Sequence, residues 1–242
     1  QLEEAQVRFH AILDQDPGHW RAHLNLSECL LAAAMEAYNR NQDPFPSCRA
    51  AVDEARRALL AEPSQVFDVQ DRIGRTLYQQ AAWEQEMGRE TRGTALACIE
   101  AFQRAREIQP ENITVASNQA LARLVLANCQ ADWLGEDPTP QLQLAVADWK
   151  RGLERDPKDP ALLLNVGEGM TQLALEQYAQ GQPLGDGFQE GLRTLRAGGE
   201  ILRSEPEGPL FQGVALLRLA ELRSQGGKDP RPDLQRARVL FQ

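Results

Sequence analysis

The sequence predicts an all-α protein, a solenoid of antiparallel helix pairs, and three observations predict it. First, an acid or amide followed by proline recurs at Asp16-Pro17, Glu62-Pro63, Gln109-Pro110, Asp156-Pro157 and Glu205-Pro206, with proline spacings of 46, 47, 47 and 49. Second, a different proline cluster falls between these stops: "NQDPFP" at 41–46, "GEDPTP" at 135–140 and "GKDPRP" at 227–232. Third, the intervening stretches are rich in Ala, Leu, Glu and Arg, with apolar residues three and four apart and no alternating β-branched pattern. Proline ends one helix and starts the next, so two stops per period mean two helices per repeat.

Taken in order, residues 1–17 read as a lone helix with Ala5, Phe9 and Ile12 on one stripe. Full repeats follow at 18–63, 64–110, 111–157 and 158–206, and a truncated one at 207–242. The first helix of repeat one is "WRAHLNLSECLLAAAMEAYNRN" (20–41); a typical second helix is "QLQLAVADWKRGLERD" (141–156). Between them Asn41, Gly135 or Gly227 supplies a left-handed cap, Asp-Pro makes the turn, and Pro46, Pro140 or Pro232 sits in the first turn of the next helix. These linkers are punctuation, since no Walker-type glycine spacing accompanies them. Aromatics near the ends of the first helices (Tyr38, Trp83, Trp133, Tyr178) are expected to staple the last turns to a neighbour. Gly198-Gly199, in mid-helix, predicts local fraying or a bend. The chain begins on an unpaired helix and ends inside a repeat, so the polypeptide is expected to continue in both directions.

The second helices carry small, mostly large, then mostly small residues on one stripe: Ala51/Ala55/Ala58, Cys98/Phe102/Ala105 and Ala145/Trp149/Gly152, repeated by Ala237 and Phe241. The first helices carry Asn25-Leu26-Ser27, Asn118-Gln119-Ala120 and Asn165-Val166-Gly167. This resembles the tetratricopeptide (TPR) family, whose second helix bears Ala, Phe, Ala and Pro at these offsets and whose first helix bears Asn-Leu-Gly. The resemblance implies a right-handed α-α superhelix. Family repeats have about 34 residues, so the extra residues here lengthen mainly the first helix. The Gly-x-Asp-Pro-x-Pro linkers are similar to those of long-helix arrays C-terminal to the catalytic domain of bacterial serine/threonine protein kinases.

In such arrays the first helices line a partner-binding groove. Carried over by offset, the resemblance implies Arg21, Leu24 and Glu28 from the first repeat and Asp68, Asp71, Arg75 and Tyr78 from the second. The third contributes Ser117 and Leu121, and the fourth Leu164, Glu168 and Thr171. Lys and Asn are missing where chaperone-tail clamps have them, so a mixed-charge partner with apolar anchors fits better. A plain solvated face is the competing reading.

A formal charge of −9 with dispersed basic residues argues against nucleic acid, and no apolar run approaches the roughly 18 residues of a membrane span. Four cysteines without a CxxC pair suit reduced thiols in the cytoplasm. His19 and His23 share a helical spacing but read as surface residues near a helix start, not zinc ligands. Gly167-Glu168-Gly169 lacks the strand and third glycine of a nucleotide loop. No cofactor, metal or catalytic residue is therefore expected. The function predicted is a protein-interaction scaffold that recruits a substrate or regulator within a larger bacterial signalling protein such as a serine/threonine kinase. Its partner would be a protein or peptide, with self-association as a second mode. The alternative is a ligand-sensing helical domain of a transcriptional regulator.

Overall fold

A computed structural model describes residues 2–202 and 207–241. The chain divides into two compact units, Gln1–Cys129 and Gln130–Gln242. Unit 1 holds α1 (Leu2–Gln15), α2 (Trp20–Asn39), α3 (Phe45–Ala61), α4 (Val66–Glu86), α5 (Arg92–Ile108) and α6 (Ile113–Cys129). Unit 2 opens with a π-helical segment, Gln130–Leu134. It continues with α7 (Thr139–Arg155), α8 (Pro160–Ala179), α9 (Gly185–Leu202), α10 (Glu207–Gln225) and α11 (Arg231–Leu240). No strand occurs among the described residues. Each unit is a stack of helices packed pairwise on their sequence neighbours, an all-α TPR-like helical-repeat architecture.

The linkers work as local chemistry requires. Long helices end in the same two-bond cap at Asn41, Gly88, Gly181 and Gly227, all at positive φ. At Asn41, for example, the Asn41 N–H donates to the Tyr38 carbonyl at 2.9 Å and the Gln42 N–H to Ala37 at 2.8 Å. The following aspartate then accepts from the backbone two residues on: Asp43 from Phe45, Asp137 from Thr139 and Asp229 from Arg231, each at 3.0 Å. Pro46, Pro140 and Pro232 lie in the opening turn of α3, α7 and α11, where the missing N–H costs nothing. Glu205-Pro206, the last of the acid-proline stops, lies outside the described residues.

Glycines on one helix receive aromatic rings from a sequence neighbour on either side. A Cβ on Gly74 would stand 2.6 Å from the Phe102 ring, one on Gly169 2.9 Å from Trp149, and one on Gly213 2.3 Å from Phe241. Between α8 and α9 the approach is backbone to backbone, since a Cβ on Gly167 would meet the Leu195 nitrogen at 2.7 Å and the Gly191 carbonyl at 2.9 Å. Three expectations are corrected. The α9 helix runs unbroken through Gly198-Gly199, because these glycines admit neighbours: a Cβ would lie 3.1 Å from Leu164 at the first and 3.0 Å from the Gly208 Cα at the second. Trp133 stands 51% exposed in the π-helical segment, so it is not the buried staple expected, unlike Trp83 at 3%.

His23 is the third correction. It is buried, with Nδ1 2.7 Å from Glu54 Oε2 and Nε2 2.9 Å from the Pro17 carbonyl. The carbonyl can only accept, so Nε2 carries a hydrogen, and a further shared proton joins Nδ1 to the Glu54 carboxyl. Arg57 also pairs with Glu54. His19, by contrast, is the exposed cap of α2 and accepts from the Ala22 N–H at 3.2 Å.

Candidate functional site

In unit 1, α4 touches both α2 and α6, so three long helices stand side by side. Burial of the opposite stripes sets which residues they leave outward. On α2, Ala22, Leu26 and Ser27 are buried, which leaves Arg21 and Glu28 exposed. On α4, Val69, Ile73, Gly74 and Thr76 are buried, and Asp68, Asp71 and Arg75 occupy the remaining arc. Leu24 is half-buried and packs with Trp20, Leu59 and Leu77 against the core formed by Val52, Ala55 and Val69. Tyr78 is half-buried against Phe102, Cys98 and Ala122. Ser117 and Leu121 are half-buried on α6.

The charges form a compact mixed cluster. Glu28 of α2 pairs with Arg72 of α4, and Arg75 Nε lies 3.0 Å from Asp71 Oδ2 one turn along. Burial, and then the positive field of Arg75, push the Arg72 guanidinium down to about 10. Burial raises the Asp71 carboxyl, an effect that the Arg75 charge opposes. Two buried nitrogens of Arg72, Nε and Nη1, make no hydrogen bond, so its contact with Glu28 is an ion pair only. The Arg72 side chain is only 15% exposed. Sequence reasoning missed this residue because, with Ile73-Gly74 set against Leu26-Ser27, Arg72 takes the place of Asn25, a position that the groove offsets skip in every repeat. The available signal was Arg72 itself, a cation where the other first helices carry Asn25, Asn118 and Asn165. Arg21 lies over the Trp20 ring, 4.9 Å from its centroid.

The unit 2 candidates are placed differently. Leu164 is 7% exposed and belongs to the core cluster with Phe188, Leu192 and Leu195. Thr171 is buried, and its hydroxyl donates to the Glu168 carbonyl at 2.9 Å. The close α8–α9 approach turns both inward, so neither lines a groove. Glu168 remains half-buried, and burial lifts its carboxyl to about 7. No group of three or more His, Cys, Asp or Glu that could hold a metal occurs among the described residues. Nor is any helix there long and apolar enough to cross a membrane.

The architecture places this chain in the class of all-α helical-repeat proteins. No family model matches it, and no curated protein does. Solved structures similar to it include a monomeric mutant of IFIT1 with Gppp-AAAA, and another with m7Gppp-AAAA in the anti conformation of the cap. Each is 17% identical with a TM-score of 0.48, over 99% of this chain and 45% of the matched one. The chain thus spans less than half the length of these structures.

These structures correct one expectation from composition. They hold capped oligonucleotides, so the exclusion of nucleic acid drawn from net charge and dispersed basic residues does not stand. Net charge is a sum over the surface, and a chain at −9 can still present locally positive ground.

Proposed function

We propose that this chain is a protein-interaction scaffold whose α2–α4–α6 face receives a peptide or helix of mixed charge with apolar anchors. The observation that supports this reading is the Glu28–Arg72 and Asp71–Arg75 cluster. It sets both signs of charge beside the half-buried Leu24, Tyr78 and Leu121. Charges of both signs on one face suit specificity more than raw affinity. Arg21 and Asp68 extend the face, and Ser117 adds a hydroxyl.

The division into a lone helix, four repeats and a truncated fifth belongs to the same proposal. So does the setting: a recruiting region of a larger cytoplasmic bacterial signalling protein such as a serine/threonine kinase, acting by binding and not by catalysis. The support for that setting is the linker pattern, now seen as a repeated cap and aspartate turn.

The test is quantitative affinity capture with the wild type, the charge-reversed variant Arg21→Glu/Glu28→Arg, and a control reversed at the exposed Glu100–Arg104 pair of α5. Proteins retained by the wild type and the control but lost from the first variant support the reading. Equal retention by all three overturns it. A small molecule that raises the melting temperature of the isolated chain, with no protein retained, would favour the ligand-sensing alternative. A capped oligonucleotide bound on this face would replace the protein ligand by RNA.

A further inference from the structure

A second groove repeats between the shorter helices. In unit 1 it runs between α3 and α5 over α4 and encloses about 390 Å³; in unit 2 it runs between α9 and α11 over α10 and encloses about 420 Å³. The two are in register. Gly74 faces Phe102 and Gly213 faces Phe241, and counting from these pairs matches Leu77 with Leu216 and Ala101 with Leu240. This groove lies on the opposite side of α4 from Asp71, Arg75 and Tyr78, since it uses Gln70, Ile73 and Leu77.

The chemistry of the two copies differs. In unit 1 the basic residues are matched within the groove or beside it: Arg104 pairs with Glu100 at 2.5 Å and Arg56 with Asp53 at 3.4 Å. In unit 2 the position of Glu100 is taken by Val239 and that of Ala97 by Arg236. The groove is lined by Arg193, Arg196 and Arg236 and by no acid.

Neighbouring acids are engaged elsewhere. Glu190 reaches Lys150 at 3.6 Å, and buried Asp233 holds Arg223 at 2.7 Å. Asp186 and Glu200, toward the two ends of α9, do not line the groove. Three exposed arginines thus surround an apolar floor of Leu192, Leu216 and Leu240 in a chain whose net charge is −9.

We infer that the α9–α10–α11 groove is a docking site for an acidic amphipathic helix of another protein. Its carboxylates would meet the arginine forks, and its apolar side chains, three and four residues apart, would lie on the leucine floor. Charge complementarity selects the acid. The apolar floor selects an amphipathic partner over a bare polyanion, and no aromatic ring in the lining offers the stacking surface that single-stranded bases use. This surface is independent of the α2–α4–α6 face.

The probe is a fluorescein-labelled peptide of about five helical turns, with leucines on one face and glutamates beside them, and a scrambled peptide of the same composition. Anisotropy titrations use the 242-residue chain, its Arg193→Glu/Arg236→Glu variant, and an Arg56→Glu/Arg104→Glu variant of the unit 1 groove. All four arginines are exposed, and circular dichroism checks that each variant folds. The wild type is expected to bind the amphipathic peptide at least about tenfold more tightly than the scramble. The unit 2 reversal should cost about tenfold or more, and the unit 1 reversal less than about twofold. No binding, equal binding of the scramble, or indifference to the unit 2 reversal overturns the inference. So does a single-stranded oligouridylate that binds the same arginines as tightly as the peptide, since that would make the groove a phosphate site.

Discussion

Tyr38, near the end of α2, and Trp83, near the end of α4, stack with ring centroids 5.0 Å apart and planes 17° apart. Trp83 is 3% exposed and packs with Ala34, Phe45 and Cys48, while the Tyr38 hydroxyl donates to Glu86. The extra turns of these long helices therefore have a core of their own. Trp83→Ala should cost about 3–5 kcal/mol in urea unfolding, and Tyr38→Ala distinctly less. A double-mutant cycle should leave a coupling of about 0.5–1.5 kcal/mol. Zero coupling would mean that the rings are neighbours without interaction.

Glycines in this chain divide into two kinds with opposite responses to alanine. At Gly167 a Cβ would collide with backbone atoms of Leu195 and Gly191, which cannot move aside. Gly167→Ala should destabilise by about 1–3 kcal/mol despite alanine's better helix propensity. Gly93 of α5 meets nothing within 4 Å, so Gly93→Ala should stabilise by a few tenths to about 1 kcal/mol. Thermal melts of the two variants should shift in opposite directions; a shared direction would reject the close α8–α9 approach.

Removing the His23 ring leaves the buried Glu54 carboxyl with Arg57 as its remaining partner and its Oε2 without a hydrogen bond. His23→Leu should cost about 2 kcal/mol or more, because a buried charged group loses a hydrogen bond. The double variant His23→Leu/Glu54→Leu should recover most of that loss. A double variant as unstable as the single would show that packing around the imidazole, and not the ion pair, carries the effect.

Glu168 imposes a pH dependence whose sign follows from its environment. Burial holds its folded-state carboxyl at about 7, above the ordinary 4.5. The folded chain therefore binds the proton more tightly than the unfolded one, and the stability from this group is full below about 4.5 and lost as pH rises toward 7. Glu168→Gln removes the ionisation. In urea melts the variant should gain on the wild type between pH 5 and pH 8, levelling off above about 7. A difference independent of pH would place the carboxyl in water.

Much of the fold was legible because its rules are local. The helix caps at Asn41 and Gly227, the aspartate turns at Asp43, Asp137 and Asp229, and the prolines in the first turns each depend on a few adjacent residues. The small-large-small stripe likewise exposed the packing of Phe102 and Trp149 before any coordinate. The groove was legible only in outline. Offsets from a repeat pattern reached Glu28, Asp71 and Arg75, but slipped past Arg72 and pointed to Leu164 and Thr171, which the α8–α9 contact buries.

What the sequence by itself determined is the class: helix after helix, the proline and cap signals that part them, and the small-large-small stripe of the second helices. Only the tertiary structure decided which polar residues are hidden and which charges are matched. It turned His23 inward onto Glu54 and the Pro17 carbonyl, set Glu28 on Arg72, made Gly198 and Gly199 points of close approach, and left Arg193, Arg196 and Arg236 around one groove. Caps and turns are settled by hydrogen bonds within a few residues along the chain. Burial and ion pairing are settled by residues tens of positions apart, whose distances no spacing in a sequence records.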